Sequence, residues 1–207
     1  MPDSDATTPA PKRRWPILIT AAVLAVAVGL GLGFLIPVTK PELVVSQSIV
    51  GGPFEMVNHR GETVTQETFK GRFMLVYFGY TYCPDVCPTE LQAITVALND
   101  MGARADDITP VFVTIDPERD DVAAVREYVA FFHPRLVGLT GSPAQVKAMT
   151  DAFGVYYARA RDTGASSDYL MDHSSLIFLM DRQGRYITHV RTGTAPEAIA
   201  RQLEAAL

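Results

Sequence analysis

The chain has 207 residues, 48% hydrophobic and 20% charged, and carries a formal net charge of −5. Those proportions suit one well-filled globular core. Three of the 18 basic and two of the 23 acidic residues lie before Pro37, leaving residues 37–207 at net −6. With no basic run or patch, the domain excludes nucleic acid as a partner on electrostatic grounds.

From the N-terminus, residues 1–16 are polar, proline-rich or basic (Asp3, Pro9, Pro11, Lys12, Arg13, Arg14) and have little to bury, so they are expected to form a disordered cytoplasmic tail. Ile17 to Ile36 is uncharged and long enough to cross a bilayer as one helix. The basic residues before it keep that side in the cytoplasm, which places everything after Pro37 outside, with Trp15 at the interface. The alternative is a cleaved signal peptide, whose apolar stretch normally runs about 7 to 15 residues and ends at a small-x-small site. Phe34-Leu35-Ile36-Pro37 offers no such site. In both cases the domain faces a compartment where thiols can oxidise. Residues 37–50 read as a linker and 51–207 as one domain.

Within the domain, Gly52–Val57 and Thr63–Val64 flank a polar turn and predict a hairpin. Phe73 to Phe78 is a continuous apolar run between Gly71 and Gly79, the pattern of a buried central strand. Leu91, Ile94, Leu98 and Met101 recur at helical spacing and predict a helix over 89–101. Val111 to Ile115 is a second buried strand. The helix after it carries Val122, Val125, Val129 and Phe132, with Asp116 expected as its N-cap and Pro117 at its first position. Leu136–Leu139 predicts a short strand, Ser142-Pro143 opens a helix to about Phe153, and Val155–Ala158 is extended. A polar loop over Arg159–Asp168 leads to Tyr169–His173. Leu176–Met180 and Tyr186–Val190 form a hairpin, and Pro196–Leu207 a closing amphipathic helix. The alternation is that of a mixed α/β sandwich.

The two cysteines, Cys83 and Cys87, stand where the first buried strand gives way to a helix, at the end of the strand where wound sheets collect ligands. Four residues apart, they are too close to staple the fold usefully. A helix N-terminus favours the thiolate that both redox exchange and metal binding require. At i and i+4 on one helix their Cβ atoms stand about 5–6 Å apart, against roughly 3.5–4.5 Å for a disulfide, which suits a shared metal ion and makes a disulfide reversible. Pro84 and Pro88 restrict the turn. Structural zinc wants four ligands and there is no third cysteine; two thiolates with one imidazole match Cu(I), and Cu(II) can use the same set. Four histidines compete for the third place. His59 lies in a polar turn, His133 is placed to cap a helix end, and His189 sits on the last hairpin strand. His173 differs in ending a polar loop directly before a buried strand, with Met171 nearby as a weak donor. The residues alone leave that choice open.

The stretch Tyr77-Phe78-Gly79-Tyr80-Thr81-Tyr82-Cys83-Pro84-Asp85-Val86-Cys87-Pro88, then Asp116-Pro117-Glu118-Arg119-Asp120, Leu136 to Gly141 and Tyr169-Leu170-Met171-Asp172-His173-Ser174 closely resemble, in this order, the Sco/SenC family of copper chaperones. The resemblance runs from about Gly51 to the C-terminus. It implies a thioredoxin-like sandwich with an extra N-terminal β-hairpin, preceded by one transmembrane helix. It also implies attachment to the inner membrane with the domain in the periplasm, or in the intermembrane space of a mitochondrion. Cys83, Cys87 and His173 are the copper ligands it implies. The implied recipient is the dinuclear copper centre of cytochrome c oxidase subunit II, with a second copper chaperone or a thiol reductase as further partners. Asp85 and Asp172, beside the ligands, are candidates for orienting them, with turn and cap formation as their other role. Two further readings use the same residues. One is a thiol-disulfide oxidoreductase that reduces the cysteines of that centre, in which Cys83 attacks and Cys87 resolves. The other is a redox or copper sensor working through a membrane partner.

Overall fold

The computed structural model describes residues 50–160 and 169–207. The expected tail (1–16), membrane anchor (17–36) and all but the last residue of the linker (37–50) lie outside the described residues, as does most of the polar loop. Among the described residues no helix is long and apolar enough to cross a membrane.

The expected hairpin is present as β1 (Glu55–Asn58) and β2 (Thr63–Thr65). The central strands are β3 (Phe73–Gly79) and β4 (Ile108–Thr114), followed by β5 (Val137–Thr140). β8 (Leu176–Met180) and β9 (Tyr186–Arg191) form the second hairpin. These seven strands make one sheet in the order β2-β1-β5-β4-β3-β8-β9. β3, β4 and β5 run parallel, while β1 and β8 join antiparallel on either side. Every residue of β3 is buried, as a strand covered on both faces must be. β4 tolerates Pro110 because β5 pairs with it only from Val111 onward, so β4 is still open on that side at the proline.

Among the described residues four helices cover the sheet: α1 (Val86–Met101), α2 (Val122–Val129), α3 (Pro143–Phe153) and α4 (Pro196–Ala206). Strand alternation divides the aromatic core between them. Tyr77, Phe112 and Gly138 lie level on one face, where Phe112 meets Tyr128 of α2 at 5.3 Å between ring centroids. Phe78 and Phe178 lie on the other face, 5.3 and 5.5 Å from Phe153 of α3. α4 packs beside α1. Ser142 caps α3 through a reciprocal exchange with Gln145, and Gly154 ends that helix at a left-handed φ of 66°.

Gly138 sets how closely α2 approaches the sheet. A Cβ there would fall 2.4 Å from Val125 Cγ1 and 2.8 Å from Val129 Cγ1. Gly138→Ala is therefore expected to destabilise the domain by about 1–3 kcal/mol, as overpacking of a filled core does. The midpoint of urea unfolding reads this directly; an unchanged midpoint would mean that α2 yields freely.

Two expectations need correction. Asp116 does not cap α2. Its backbone carbonyl instead accepts the amides of Arg119 and Asp120, closing a tight turn over Asp116–Asp120, and the cap passes to Asp121, whose side chain accepts from the Ala124 amide at 2.8 Å. The helix accordingly starts at Val122 and ends at Val129, before Phe132 and well before His133. His133 caps nothing there: it is buried, and its Nδ1 accepts the Arg135 amide at 3.2 Å.

Candidate metal centre

The two thiols sit at the carboxyl end of β3, as the sequence predicts, but not both on a helix. Cys87 occupies the first turn of α1, whereas Cys83 lies in the preceding turn, outside the helix. The i, i+4 helical geometry therefore does not apply to the pair. What joins them is the turn itself, in which the Cys87 amide donates to Cys83 Sγ at 3.3 Å. Pro88 costs no hydrogen bond, since amides in the first turn of a helix have no partner within it.

Burial separates the two chemically. Cys87 is fully buried and Cys83 is partly exposed. A hydrogen bond from the Cys87 thiol, helped by the amides of Cys87 and Asp85 and the Tyr80 hydroxyl, outweighs desolvation and lowers the Cys83 thiol to about 5. The same contact and its own burial push the Cys87 thiol up. Cys83 is thus the sulfur biased toward thiolate, and Cys87 the one biased toward thiol. Gly79 makes room for this: a Cβ there would stand 3.0 Å from Cys87 Sγ.

His173 reaches the thiols because of strand topology. β8 runs antiparallel to β3 with Ile177 opposite Tyr77, so the residues preceding β8 must lie beyond the carboxyl end of β3. There β7 (Met171–His173) pairs with β6 (Tyr157–Arg159) as a separate two-stranded ribbon. Cys87 Sγ lies 3.9 Å from His173 Nε2. On the other side of the ring, Nδ1 lies 3.1 Å from the Ser174 carbonyl, which can only accept. That bond calls for the proton on Nδ1, the tautomer in which the Nε2 lone pair faces the sulfur. Tyr77 and Tyr80 set their edges against the ring, with centroids 6.4 and 6.3 Å away.

A first-row ion holding one sulfur at about 2.3 Å and one imidazole nitrogen at about 2.0 Å would separate the two by about 3.7 Å at a trigonal angle. The observed 3.9 Å fits such a shared ion. Among the described residues no three of His, Cys, Asp and Glu are already closed into a metal-binding cluster. The donors meet in pairs, with Cys83 Sγ turned to the Cys87 amide. Cys83, Pro84, Asp85, Leu170, Met171 and His173 are among the residues lining a half-open cavity of about 300 Å³.

The other candidates fall elsewhere. Asp85 is exposed at the N-cap position of α1 without a side-chain cap bond, and it acts through its amide on Cys83. Asp172 is exposed, and as the strand neighbour of His173 it points to the opposite side of the ribbon; the imidazole is oriented by Ser174 instead. His59 accepts the Gly138 amide at 3.1 Å, and His189 sits on the edge strand β9 with the Tyr186 hydroxyl 2.6 Å from its Nδ1.

One residue of the turn after β4 stands out beyond those predicted. Asp120, with no exposure, accepts the Thr81 amide at 3.0 Å and the Thr81 and Thr114 hydroxyls at 2.5 Å each. It thereby ties the thiol turn to the end of β4. The sequence marks Asp120 only as part of an acidic motif, and its distance from Thr81 along the chain hides the contact.

A parallel three-strand centre with an antiparallel hairpin beyond it, a thiol pair at a strand end and a helix rising from the second thiol define a thioredoxin-like protein. A histidine brought over the thiols narrows the class further. The SCO1/SenC family model matches residues 44–207, and the chain belongs to that family. It is 37% identical over 186 residues to the SCO2-like protein of Rickettsia felis, covering 86% of this chain and 91% of that one. Among solved structures, Arabidopsis thaliana ScoI with copper bound superposes with a TM-score of 0.72 at 36% identity, over 76% of this chain and 97% of its own. Bradyrhizobium japonicum ScoI with copper bound gives a TM-score of 0.69 at 40% identity, over 76% and 99%.

Proposed function

We propose that this domain binds copper through Cys83, Cys87 and His173 and hands it on in the assembly of cytochrome c oxidase, with the dinuclear copper centre of subunit II as recipient. The observation that carries the reading is the approach of Cys87 Sγ to the lone pair of His173 Nε2 at 3.9 Å, beside a thiolate-prone Cys83. Two thiolates and one imidazole form a soft donor set that suits Cu(I) and can hold Cu(II). Copper-bound relatives at 36% and 40% identity support that choice of metal. The partly exposed Cys83 opens on the cavity, so a partner's donor can approach from that side while Cys87 still holds the ion. The apolar run at 17–36 would tether the domain to the inner membrane, facing the periplasm or the intermembrane space.

The test is anaerobic copper titration of the full chain, reduced and oxidised, with thiol counting. One copper per chain is expected only when both thiols are free. His173→Ala is expected to weaken binding by about 10–100-fold, the range seen when a site loses a group that fixes its geometry. Unchanged affinity in that variant would remove His173 from the site.

A second reading is favoured by the unequal thiols. The Cys83 thiolate attacks one sulfur of a partner disulfide, forming a mixed disulfide and expelling the partner's second sulfur as a thiolate. Cys87 then loses its proton and attacks Cys83 Sγ, releasing the partner's first sulfur. The partner gains two electrons, and Cys83 and Cys87 end as a disulfide. Thiol exchange that survives His173→Ala in vitro, with oxidase assembly lost in cells, would decide for copper transfer.

A further inference from the structure

We propose that Arg119 is a positioning residue for the metal donors, clamping the ribbon that carries His173 to the turn that carries Cys83. Its guanidinium lies 3.8 Å from the ring centroid of Tyr169 and 4.6 Å from that of Tyr82. Tyr82 directly precedes Cys83, and Tyr169 lies just before β7. The cation is thus stacked between a residue of one donor segment and a residue of the other. Its Nε donates to Asp116 Oδ2 at 2.5 Å, and the remaining Asp116 oxygen accepts the Tyr169 hydroxyl at 2.7 Å. The outer strand of the ribbon is held to the same turn, since Arg159 lies 4.2 Å from the Tyr169 ring and pairs with Glu118.

The ring contacts add to the charge pair with Asp116. One terminal nitrogen of Arg119 is buried with no hydrogen-bond partner among the described residues, so the guanidinium is retained at the cost of an unmet donor. Cation–π contacts on rings this close are stronger when shielded from water, and the Arg119 side chain is only 16% exposed. Asp120 ties Thr81 to the same five-residue turn. Both donor segments therefore take their position from Asp116–Asp120, and Arg119 is the member that touches both.

The proposal rests on the three-donor reading, and a four-protein cycle separates the two. Cu(I) affinity is measured by chelator competition on the full chain for the natural protein, Arg119→Met, His173→Ala and the double variant. Arg119→Met is expected to weaken binding about 10-fold, as loss of a supporting contact around a metal site does. In the His173→Ala background the same change is expected to cost clearly less, because the part of the clamp that positions the His173 ribbon no longer matters and only its contact beside Cys83 remains. The Cu(II) form of Arg119→Met is expected to show weakened imidazole-nitrogen coupling by electron paramagnetic resonance, a signal that general destabilisation leaves intact. Unchanged affinity in Arg119→Met, or equal losses in both backgrounds, would overturn the proposal. Natural affinity in His173→Ala would overturn the three-donor reading itself. If Arg119→Met does not fold, Tyr169→Leu takes its place in the cycle with the same expected pattern, and Tyr169→Phe, which keeps the stacked ring, is expected to bind more tightly than Tyr169→Leu.

Discussion

Asp120→Ala is expected to destabilise the domain by about 3 kcal/mol, while Asp120→Asn stays within about 1 kcal/mol of the natural chain. The buried carboxylate accepts one amide and two hydroxyls, from Thr81 and Thr114. Alanine strands all three donors in the interior. Asparagine keeps one oxygen for the Thr81 amide and the Thr114 hydroxyl, and the Thr81 hydroxyl can rotate to accept from its NH₂. Burial raises the Asp120 carboxyl above its ordinary range. A carboxyl with a raised folded pKa contributes stability below its unfolded pKa, near 3.9, and loses it as pH rises through the folded value. Asp120→Asn should therefore gain on the natural protein between pH 4 and pH 7, as read by urea unfolding at both values. Equal losses for Ala and Asn would show that the charge itself is required.

Thiol labelling should divide the cysteines sharply. In the reduced, metal-free chain, iodoacetamide is expected to label Cys83 at a nearly constant rate from pH 9 down to about pH 6, falling by half near pH 5. A lowered thiol pKa means that thiolate persists as pH falls, so reactivity is retained well below the 8.5 or so of a free cysteine. Cys87 is buried and held neutral, and should label about 100-fold more slowly at pH 7. Urea should erase the difference, which mass spectrometry of the labelled peptides follows. Equal labelling in the folded protein would refute the division of roles between the two sulfurs.

The periodicity of the chain made most of the frame legible. The all-apolar run at 73–78, the Ser142-Pro143 helix start and both hairpins stand where local pattern places them, because each depends on neighbours in sequence. The misplaced start of α2 has a local cause too. Asp116 and Asp121 are both plausible caps before an apolar stretch, and only the turn closed on the Asp116 carbonyl decides between them. The site was legible at Cys83 and Cys87, which directly follow a strand. Its proposed third member was not, since the place of His173 follows from the antiparallel pairing of β8 with β3, a contact about a hundred residues long in sequence. The resemblance to a known family is what points to that residue, and its Nε2 lies 3.9 Å from Cys87 Sγ. Arg119 and Asp120 escaped for the same reason: their partners Tyr169 and Thr81 are distant in the chain.

The separation of the β6–β7 ribbon from the seven-stranded sheet divides the proposed donors mechanically. Cys87 is fully buried in the first turn of a helix laid against the core, and moving it means disturbing that core. His173 stands on a small flap attached to β8 through Ser174 and Ser175, and lifting it breaks the bonds of the ribbon and its clamp while every rung of the large sheet stays intact. Opening of that kind draws on a local free energy well below that of unfolding the domain. In the proposed copper site, the grip at one donor can thus loosen without softening the scaffold beneath the other two.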